Sequence, residues 1–203
     1  MANKPRAREP GIDRILDIAL GLYAERRWQD ITMEEISEAS GATLPRVYEF
    51  FPTRQAILAR LFARIDKAVL SDHDFADSTE PSRERLLDVL MRRFEAQSSY
   101  KLAIHSLLRS LGSDPALAIC SLPVLANSMA WSLEASGIGA SGPMGLAKIQ
   151  GLGLIYLSAT RVWLNDDSPD LGATMACLDR DLSRAGKLIN LFPHRKNPSR
   201  EID

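Results

Sequence analysis

The sequence ITMEEISEASGATLPRVYEFFPTRQAIL, residues 31–58, carries the strongest local structural signals in the chain. Thr32 can cap a helix by accepting a hydrogen bond from the amide of Glu35, whose carboxylate can reach back to the amide of Thr32. Ile31 stands one residue before this cap and Ile36 stands four residues after it, which is the spacing of a hydrophobic staple. The stretch therefore predicts a helix that begins abruptly after Thr32.

A second short helix follows almost at once. Gly41 suits the left-handed backbone conformation that ends many helices, which predicts a first helix over residues 33–40. Thr43 can open the next helix, over residues 44–51. Two short helices joined by a glycine-containing turn form a helix-turn-helix, whose second member can enter the major groove of DNA.

The rest of the chain also has helical periodicity. Apolar residues recur at steps of three and four in several windows, beginning with Ile12, Ile15, Leu16 and Ala19, and no alternating strand pattern competes with them. The sequence therefore predicts an all-α fold of about nine helices. The expected spans are 11–27, 33–40, 44–51, 54–71, 82–97, 99–112, 115–136, 144–165 and 170–191.

Composition narrows the class of protein. The chain has 203 residues with 25 Lys and Arg against 26 Asp and Glu, so binding to nucleic acid requires a local basic patch. The basic start carries no apolar signal core, and the least polar stretch, residues 151–159, is too short to span a membrane. We therefore expect a cytoplasmic protein without stable membrane insertion.

The quoted stretch resembles the helix-turn-helix of the TetR (tetracycline-repressor) family of transcriptional regulators. The similarity covers about residues 11–62 and includes the ILDIALGLYAERRW segment of the first helix. The positions that match the family pattern are Thr32, Ile36, Ala39, Gly41, Thr43, Tyr48, Phe51, Pro52, Thr53 and Arg54. The resemblance implies a DNA-binding head on a dimerising, ligand-binding body, and a regulator of the repressor type.

The second helix departs from the family pattern where bases would be read. Leu44 and Pro45 stand where the family has a polar residue and glycine, Glu49 replaces a commonly basic residue, and Phe50 replaces a commonly phosphate-binding histidine. Residues 44–54 carry a net charge of only +1. These departures leave open an alternative function, a lipid- or quinone-precursor-binding accessory protein that keeps the fold without binding DNA.

DNA contacts can be assigned as hypotheses. Arg46 is planar and bidentate and is the candidate for a guanine edge, while Leu44 could touch a thymine methyl or simply pack. The resemblance implies phosphate contacts for Tyr48 and Arg54. The remaining candidates are Thr32 and the amides of its helix, Thr43, Thr53, and an amino-terminal arm carrying Lys4, Arg6 and Arg8.

The carboxy-terminal part has the spacing of a dimer interface. In the last helix apolar residues recur at steps of three and four, a seam that favours a partner helix, and the helix before it is apolar around much of its circumference. We therefore predict a homodimer. The expected interface residues are Leu146, Ile149, Leu157, Leu171, Met175, Leu178, Leu182 and Ile189.

A ligand cavity is expected among the middle helices. Aromatic and methionine side chains with few polar groups suit an apolar small molecule or lipid, although any one of them could simply fill the core. The candidates are Met91, Phe94, Tyr100, His105, Met129 and Trp131. Residues 114–185 also resemble the carboxy-terminal region of the mitochondrial lipid-binding protein of ubiquinone biosynthesis, which implies a lipid or isoprenoid pocket.

No residue pattern indicates an enzyme, a metal site or a cofactor. Gly137 to Gly142 fit the dinucleotide-binding glycine pattern, but no strand precedes them, so we interpret them as a loop. The three histidines are far apart and no nucleophile motif is present. The predicted organisation is a flexible arm (1–10), a DNA-binding domain (11–62), a ligand-binding and dimerisation domain (63–192) and a flexible tail (193–203).

Overall fold

A computed structural model describes residues 10–71 and 80–190, with side chains up to residue 187. Every regular element within these ranges is helical, with nine α-helices and two single turns of 3₁₀-helix at Trp28–Asp30 and Ser98–Tyr100. The first helices are α1 (Ile12–Glu25), α2 (Met33–Ser40), α3 (Leu44–Phe50), α4 (Arg54–Ser71) and α5 (Ser82–Ala96). They are followed by α6 (Lys101–Leu111), α7 (Pro115–Ala135), α8 (Gly142–Trp163) and α9 (Gly172–Asn190).

The all-α prediction is confirmed, and each expected span overlaps one observed helix. All termini agree within two residues, and α6 begins two residues later than expected because Ser98–Tyr100 forms a separate 3₁₀ turn. The glycine-rich segment 137–142 joins α7 to α8, as expected for a loop. The arm, most of the 71–82 linker and the tail lie outside the described residues, and the boundary at residue 62 falls within α4 and remains a prediction.

One continuous hydrophobic cluster runs through the described part of the chain, from Ile15 to Leu182. The most extensive helix packing joins α8 to α9, α1 to α6 and α4 to α7. Near its start, the cluster contains a stacked pair of rings, Tyr23 and Trp28, with centroids 3.8 Å apart. The amino-terminal helices therefore share a core with the helices behind them.

Arg64 on α4 links three elements. Its guanidinium donates to the carboxylates of Asp13 and Asp17 on α1 and, at 3.1 Å, to the hydroxyl of Tyr100 just before α6. The hydrogen bond from Arg64 holds the pKa of Asp13 below its ordinary value. Ser106 on α6 adds a second connection by donating to the carbonyl of Arg26 at 2.8 Å. These polar contacts fix α1 against both α4 and α6.

Candidate nucleic-acid interface and ligand cleft

The predicted capping box of α2 is present. The amide of Glu35 donates to Oγ1 of Thr32 at 3.1 Å, and the amide of Thr32 donates to the Glu35 carboxylate at 2.8 Å. This bond and the guanidinium of Arg26 hold the pKa of Glu35 below its ordinary value. Ile31 and Ile36, the predicted staple, are both completely buried. Residues on both sides of the cap therefore hold the start of α2 in place.

The turn between α2 and α3 is held by backbone geometry and by two serines. Gly41 adopts the left-handed conformation with φ 70°, as its position predicted. Ser37 donates to the carbonyl of Ala42 at 2.8 Å, and Ser40 accepts a hydrogen bond from the amide of Ala42 at 3.3 Å. Sequence reasoning missed both serines. The sequence pattern that could have identified them is a pair of small polar residues on the inner side of a helix that ends in a tight turn.

The helix α3 buries one side and exposes the other. Val47 and Phe51 lie in the core, whereas Tyr48 is 68% exposed and Leu44 is 48% exposed. Thr43 stands at the N-cap position, but its side chain makes no capping hydrogen bond. Thr43 instead contributes its carbonyl, which accepts from the amide of Val47 at 3.0 Å. The proposed DNA-facing residues Thr43, Leu44 and Tyr48 are therefore on the open side of α3.

Arg46 is held by its own helix. Its Nη1 donates to the carboxylate of Glu49 at 2.6 Å, and its guanidinium carbon lies 4.2 Å from the centre of the Phe50 ring. The Arg46 side chain retains 29% exposure, so part of it is accessible from the solvent. Two of the four residues that depart from the family pattern, Glu49 and Phe50, thus contact the candidate base-reading arginine directly.

The start of α4 is also well defined. Thr53 caps this helix by accepting from the amide of Ala56 at 3.2 Å. Arg54 donates to the carbonyl of Gln29 at 3.1 Å and is partly buried. A phosphate contact by Arg54 would therefore use the remaining donors of its guanidinium. Lys4, Arg6 and Arg8 lie outside the described residues, and their contacts with DNA stay a prediction.

A cleft of about 820 Å³ lies behind the amino-terminal helices. Its walls come from α4, α6, α7 and α8, and the described residues that line it are mostly apolar. Examples from four helices are Phe62, Leu108, Leu125 and Leu157. The volume lies in the range of small-molecule sites, which is roughly 300 to 1,000 Å³.

The sequence located this cleft poorly. Of the six predicted ligand residues, only His105 lines it. Met91, Phe94 and Met129 belong to the packed core, and Tyr100 holds Arg64. Trp131 is half exposed and borders a smaller surface depression of about 360 Å³. The prediction was wrong for these five residues as cleft lining, because helical periodicity does not distinguish a core side chain from a cavity wall.

The cleft contains a buried amide that the sequence did not reveal. Gln97 lies where α5 ends, is completely buried and lines the cleft. Its Oε1 accepts a hydrogen bond from the hydroxyl of Tyr156 at 2.6 Å. Among the described residues, its Nε2 has no hydrogen-bond partner. A glutamine at a helix end is common, so only its burial distinguishes this residue.

The predicted dimer residues fall into distinct groups. Leu178 and Leu182 are buried within the protomer, so the prediction that these two face a partner was wrong. Leu157 lines the cleft, and its contact with a partner stays a prediction. Ile149 and Leu171 are partly buried against the protomer's own core. The exposed members are Leu146 and Met175, and the side chain of Ile189 lies outside the described part.

Exposed apolar side chains nevertheless occur on α8 and α9. Leu154, which the sequence analysis did not select, is 71% exposed, and Leu146 and Met175 are exposed on the same two helices. We refer to Leu146, Leu154 and Met175 as the α8–α9 surface. The seam of α9 that predicted a partner helix packs instead on α5 and α8 of the same chain.

The most apolar long helix in the described ranges is α7, rather than the 151–159 segment. By length and composition it could span a membrane, with a mean hydropathy of 1.5 over an 18-residue window that is 28% buried. Core helices of soluble proteins can have the same length and composition. Exposed Leu122 on α7 and Leu102 on α6 form part of the cleft rim.

The acidic pair after α8 has a structural role. Asp166 accepts hydrogen bonds from the amide and hydroxyl of Thr174, at 2.9 and 2.8 Å, and from Ser168. The bonds from Ser168 and Thr174 hold the pKa of Asp166 well below its ordinary value. Asp167 pairs with Lys101 at 3.0 Å. Within the described residues, no group of three or more His, Cys, Asp or Glu could hold a metal ion.

Comparison with known sequences gives three relatives of one class. The chain is 32% identical over 117 residues to an uncharacterized HTH-type transcriptional regulator of Mycobacterium tuberculosis. It is 26% identical over 125 residues to the HTH-type transcriptional regulator EthR of Mycolicibacterium smegmatis. These matches cover 56% and 60% of this chain, which spans about half the length of the relatives, 50% and 52%. No family model matches the sequence.

Solved structures show the architecture. A TetR transcriptional regulator from Nitrosomonas europaea superposes with a TM-score of 0.65 at 21% identity, covering 86% of this chain and 97% of that one. The chain has a TetR-type fold. A TetR regulator from Rhodococcus sp. RHA1 gives a TM-score of 0.57 at 18% identity, covering 84% and 94% of the two chains. The TetR-type fold thus extends through most of the chain, and the resemblance of residues 114–185 to the ubiquinone-biosynthesis protein is not supported.

Proposed function

We propose that this protein is a DNA-binding transcriptional regulator of the TetR type. The observation that carries the proposal is the exposed side of α3, where Leu44 and Tyr48 stand outward on a helix anchored by Val47 and Phe51. A short helix held by a buried side and a defined turn is suited to the major groove. The relatives of Mycobacterium tuberculosis and Mycolicibacterium smegmatis, both named as HTH-type regulators, support the same function.

The proposed DNA contacts are of two kinds: phosphate contacts that position α3 and base contacts that recognise the sequence. Tyr48, Thr32 and Arg54 would contact phosphates and set the orientation of α3 without specifying sequence. Arg46 would read a guanine edge, and its guanidinium is hydrogen-bonded to Glu49 in the protein without DNA. Binding to a base would replace the bond to Glu49. Because the surplus of basic residues near α3 is small, affinity should depend on few phosphate contacts.

We propose that the active form is a homodimer joined through the α8–α9 surface. Leu146, Leu154 and Met175 expose apolar side chains there, and an interface core is depleted in charged residues. A twofold axis would place the two α3 helices in successive major grooves, about 34 Å apart. The dimer would therefore read a palindromic operator.

A small apolar ligand in the cleft would control this binding, and we propose a repressor as the outcome. Leu58 and Phe62 line the cleft from α4, and the same helix begins at Arg54 beside α3. A ligand that binds one position of α4 better than another changes the population of DNA-binding dimers. The size of the effect is limited by that difference in affinity.

The proposal is tested by titrating the protein into duplex DNA flanking its own gene, with fluorescence polarisation at two salt concentrations. About six to eight phosphate contacts per dimer give a log–log salt slope of roughly −5 to −7. The double variant Arg46→Ala, Tyr48→Phe should lose specific binding, whereas Arg92→Ala on α5 is a matched control. Retained binding by the double variant would contradict the assigned residues.

Absence of any sequence-preferring binding would reject the regulator itself. Retained ligand binding in that case would favour the accessory protein that binds a lipid or quinone precursor.

A further inference from the structure

We infer that the cleft binds a molecule with a long apolar body and a carbonyl oxygen, which accepts a hydrogen bond from Nε2 of Gln97. The inference rests on the proposed ligand control and names the chemical class of the ligand. It starts from Gln97, which is completely buried at the cleft wall with an unpaired Nε2 among the described residues. A buried donor without a partner costs free energy, so a ligand acceptor there is favoured.

The position of Gln97 is fixed by the backbone. Its amide donates to the carbonyl of Arg93 at 3.1 Å, and its carbonyl accepts from the amide of Tyr100 at 2.8 Å. These bonds hold Gln97 at the joint between α5 and the 3₁₀ turn that precedes α6. The backbone of Gln97 is therefore fixed beside the cleft wall.

The orientation of the amide follows from its neighbours. Tyr156 donates its hydroxyl proton to Oε1 of Gln97, and Arg93 lies over the Tyr156 ring with Cζ 5.3 Å from the centroid. Since a guanidinium cannot accept a hydrogen bond, Arg93 cannot take the hydroxyl proton of Tyr156. That proton therefore goes to Oε1, which leaves Nε2 as the group for the ligand.

Two hydroxyl groups on the cleft wall already have hydrogen-bond partners. The hydroxyl of Thr160 donates to the carbonyl of Tyr156 at 2.6 Å, and the hydroxyl of Ser121 donates to the carbonyl of Leu117 at 2.7 Å. Among the described lining residues, Lys101, His105, Arg109 and Arg161 are polar or charged but partly or fully exposed. Within the described chain, the buried part of the wall is therefore mostly apolar, and Nε2 of Gln97 is its unpaired polar group. This arrangement fits a ketone, ester or amide on a hydrocarbon chain and disfavours sugars or nucleotides, which need many polar partners.

The rim of the cleft is also apolar. Leu102 is 66% exposed and Leu122 is 59% exposed, and both line the cleft where α6 faces α7. Exposed leucines at an entrance provide a contact surface for a hydrocarbon chain. The chain would enter between α6 and α7, with its carbonyl end at Gln97.

The test measures ligand binding by the full chain without DNA, using 2-decanone and n-decane as the two probes in isothermal titration calorimetry. Gln97→Met keeps the approximate size of the side chain and removes the donor. This variant should bind 2-decanone about three- to tenfold more weakly than the parent and bind n-decane with unchanged affinity. The control is Asn165→Leu, which removes an exposed cleft amide that already donates to the carbonyl of Arg161, and it should not affect the two probes differently.

A second measurement uses the unmodified protein, so it does not depend on the folding of a variant. The infrared carbonyl band of ¹³C-labelled 2-decanone should lie at a lower frequency when the ketone is bound to the protein than when it is dissolved in hexane. An unshifted band, equal losses for both probes in Gln97→Met, or no binding of 2-decanone would overturn the inference. Since no DNA is present, failure here leaves the proposed DNA binding intact, and failure of DNA binding does not alter this result.

Discussion

Nη1 of Arg46 donates to Oε2 of Glu49 at 2.6 Å, within a single turn of α3. This exposed pair carries one positive and one negative charge on the side of the molecule proposed to meet DNA. An exposed ion pair contributes only about 0.2 to 1 kcal/mol, so a base edge can displace it. Glu49 therefore holds the reading side chain in place while opposing the approach of phosphates.

Replacing Glu49 should strengthen DNA binding. Glu49→Gln removes a negative charge near the phosphates and the ion pair between Glu49 and Arg46, so we expect affinity to rise by about three- to tenfold at low salt. Fluorescence polarisation with operator and scrambled duplexes measures the change. Glu95→Gln on α5 is the control, and weaker binding by Glu49→Gln would show that Glu49 is needed to position Arg46.

Replacing Arg46 with lysine separates charge from geometry. Arg46→Lys keeps the positive charge but cannot donate two parallel hydrogen bonds to guanine. Binding to the operator should fall by about 1 to 3 kcal/mol, while binding to scrambled DNA and its salt slope should change little. The same substitution at Arg92 is the control. Equal losses on both duplexes would assign Arg46 to phosphates rather than bases.

Residues 31–58 could be predicted in detail because their signals are local. The cap of Thr32, the staple and the left-handed Gly41 each depend on neighbours within five positions, and the structure confirms them. The contact between Arg46 and Glu49 was also within reach, since residues three apart on a helix are neighbours. The sequence predicted a guanine contact for Arg46 and a lost positive charge at Glu49, but the two residues were not paired.

The carboxy-terminal contacts could not be predicted in the same way. Helical spacing shows that Leu178 and Leu182 lie on an apolar side, but the same spacing serves a partner chain or the protomer's own core. Their complete or near-complete burial shows that they pack within the protomer. Gln97 was missed for a related reason, because burial of a polar residue depends on contacts with Tyr156, 59 positions away.

The α8–α9 surface should control assembly. Leu154→Glu places a charge at the centre of the proposed interface, where an unpaired buried charge is costly. We expect a monomer in sedimentation-velocity experiments at micromolar concentration, with loss of operator binding. Ile119→Glu changes an equally exposed apolar residue on α7 and should leave the dimer intact. An unchanged dimer in Leu154→Glu would place the interface elsewhere.

Arg93 and Asp66 form a buried ion pair that connects α5 to α4, and Ser128 on α7 also donates to the Asp66 carboxylate. Arg93 is almost completely buried, so removing its partner leaves an uncompensated charge. Asp66→Ala should lower the free energy of unfolding by about 3 to 5 kcal/mol in urea titrations. The double variant Asp66→Leu, Arg93→Met should recover most of this loss, and failure to recover would show that the charges themselves are required.

Asp166 should make stability depend on pH in the acid range. Hydrogen bonds from Ser168 and Thr174 lower the pKa of Asp166 in the folded protein, whereas in the unfolded chain this carboxyl has an ordinary pKa of about 3.9. Below neutral pH the unfolded state therefore binds the proton first, and the contribution of Asp166 is lost as pH falls through the folded pKa. Asp166→Asn should be less stable than the parent by about 1 to 3 kcal/mol at pH 7 in urea titrations, because its amide cannot accept all these bonds. The difference should shrink as pH falls below about 4.

Asp167→Asn is the matched control, since its carboxylate makes one exposed ion pair with Lys101, and it should change stability little at either pH. A stability difference for Asp166→Asn that is constant from pH 7 to pH 3 would show that shape rather than charge determines the role of Asp166.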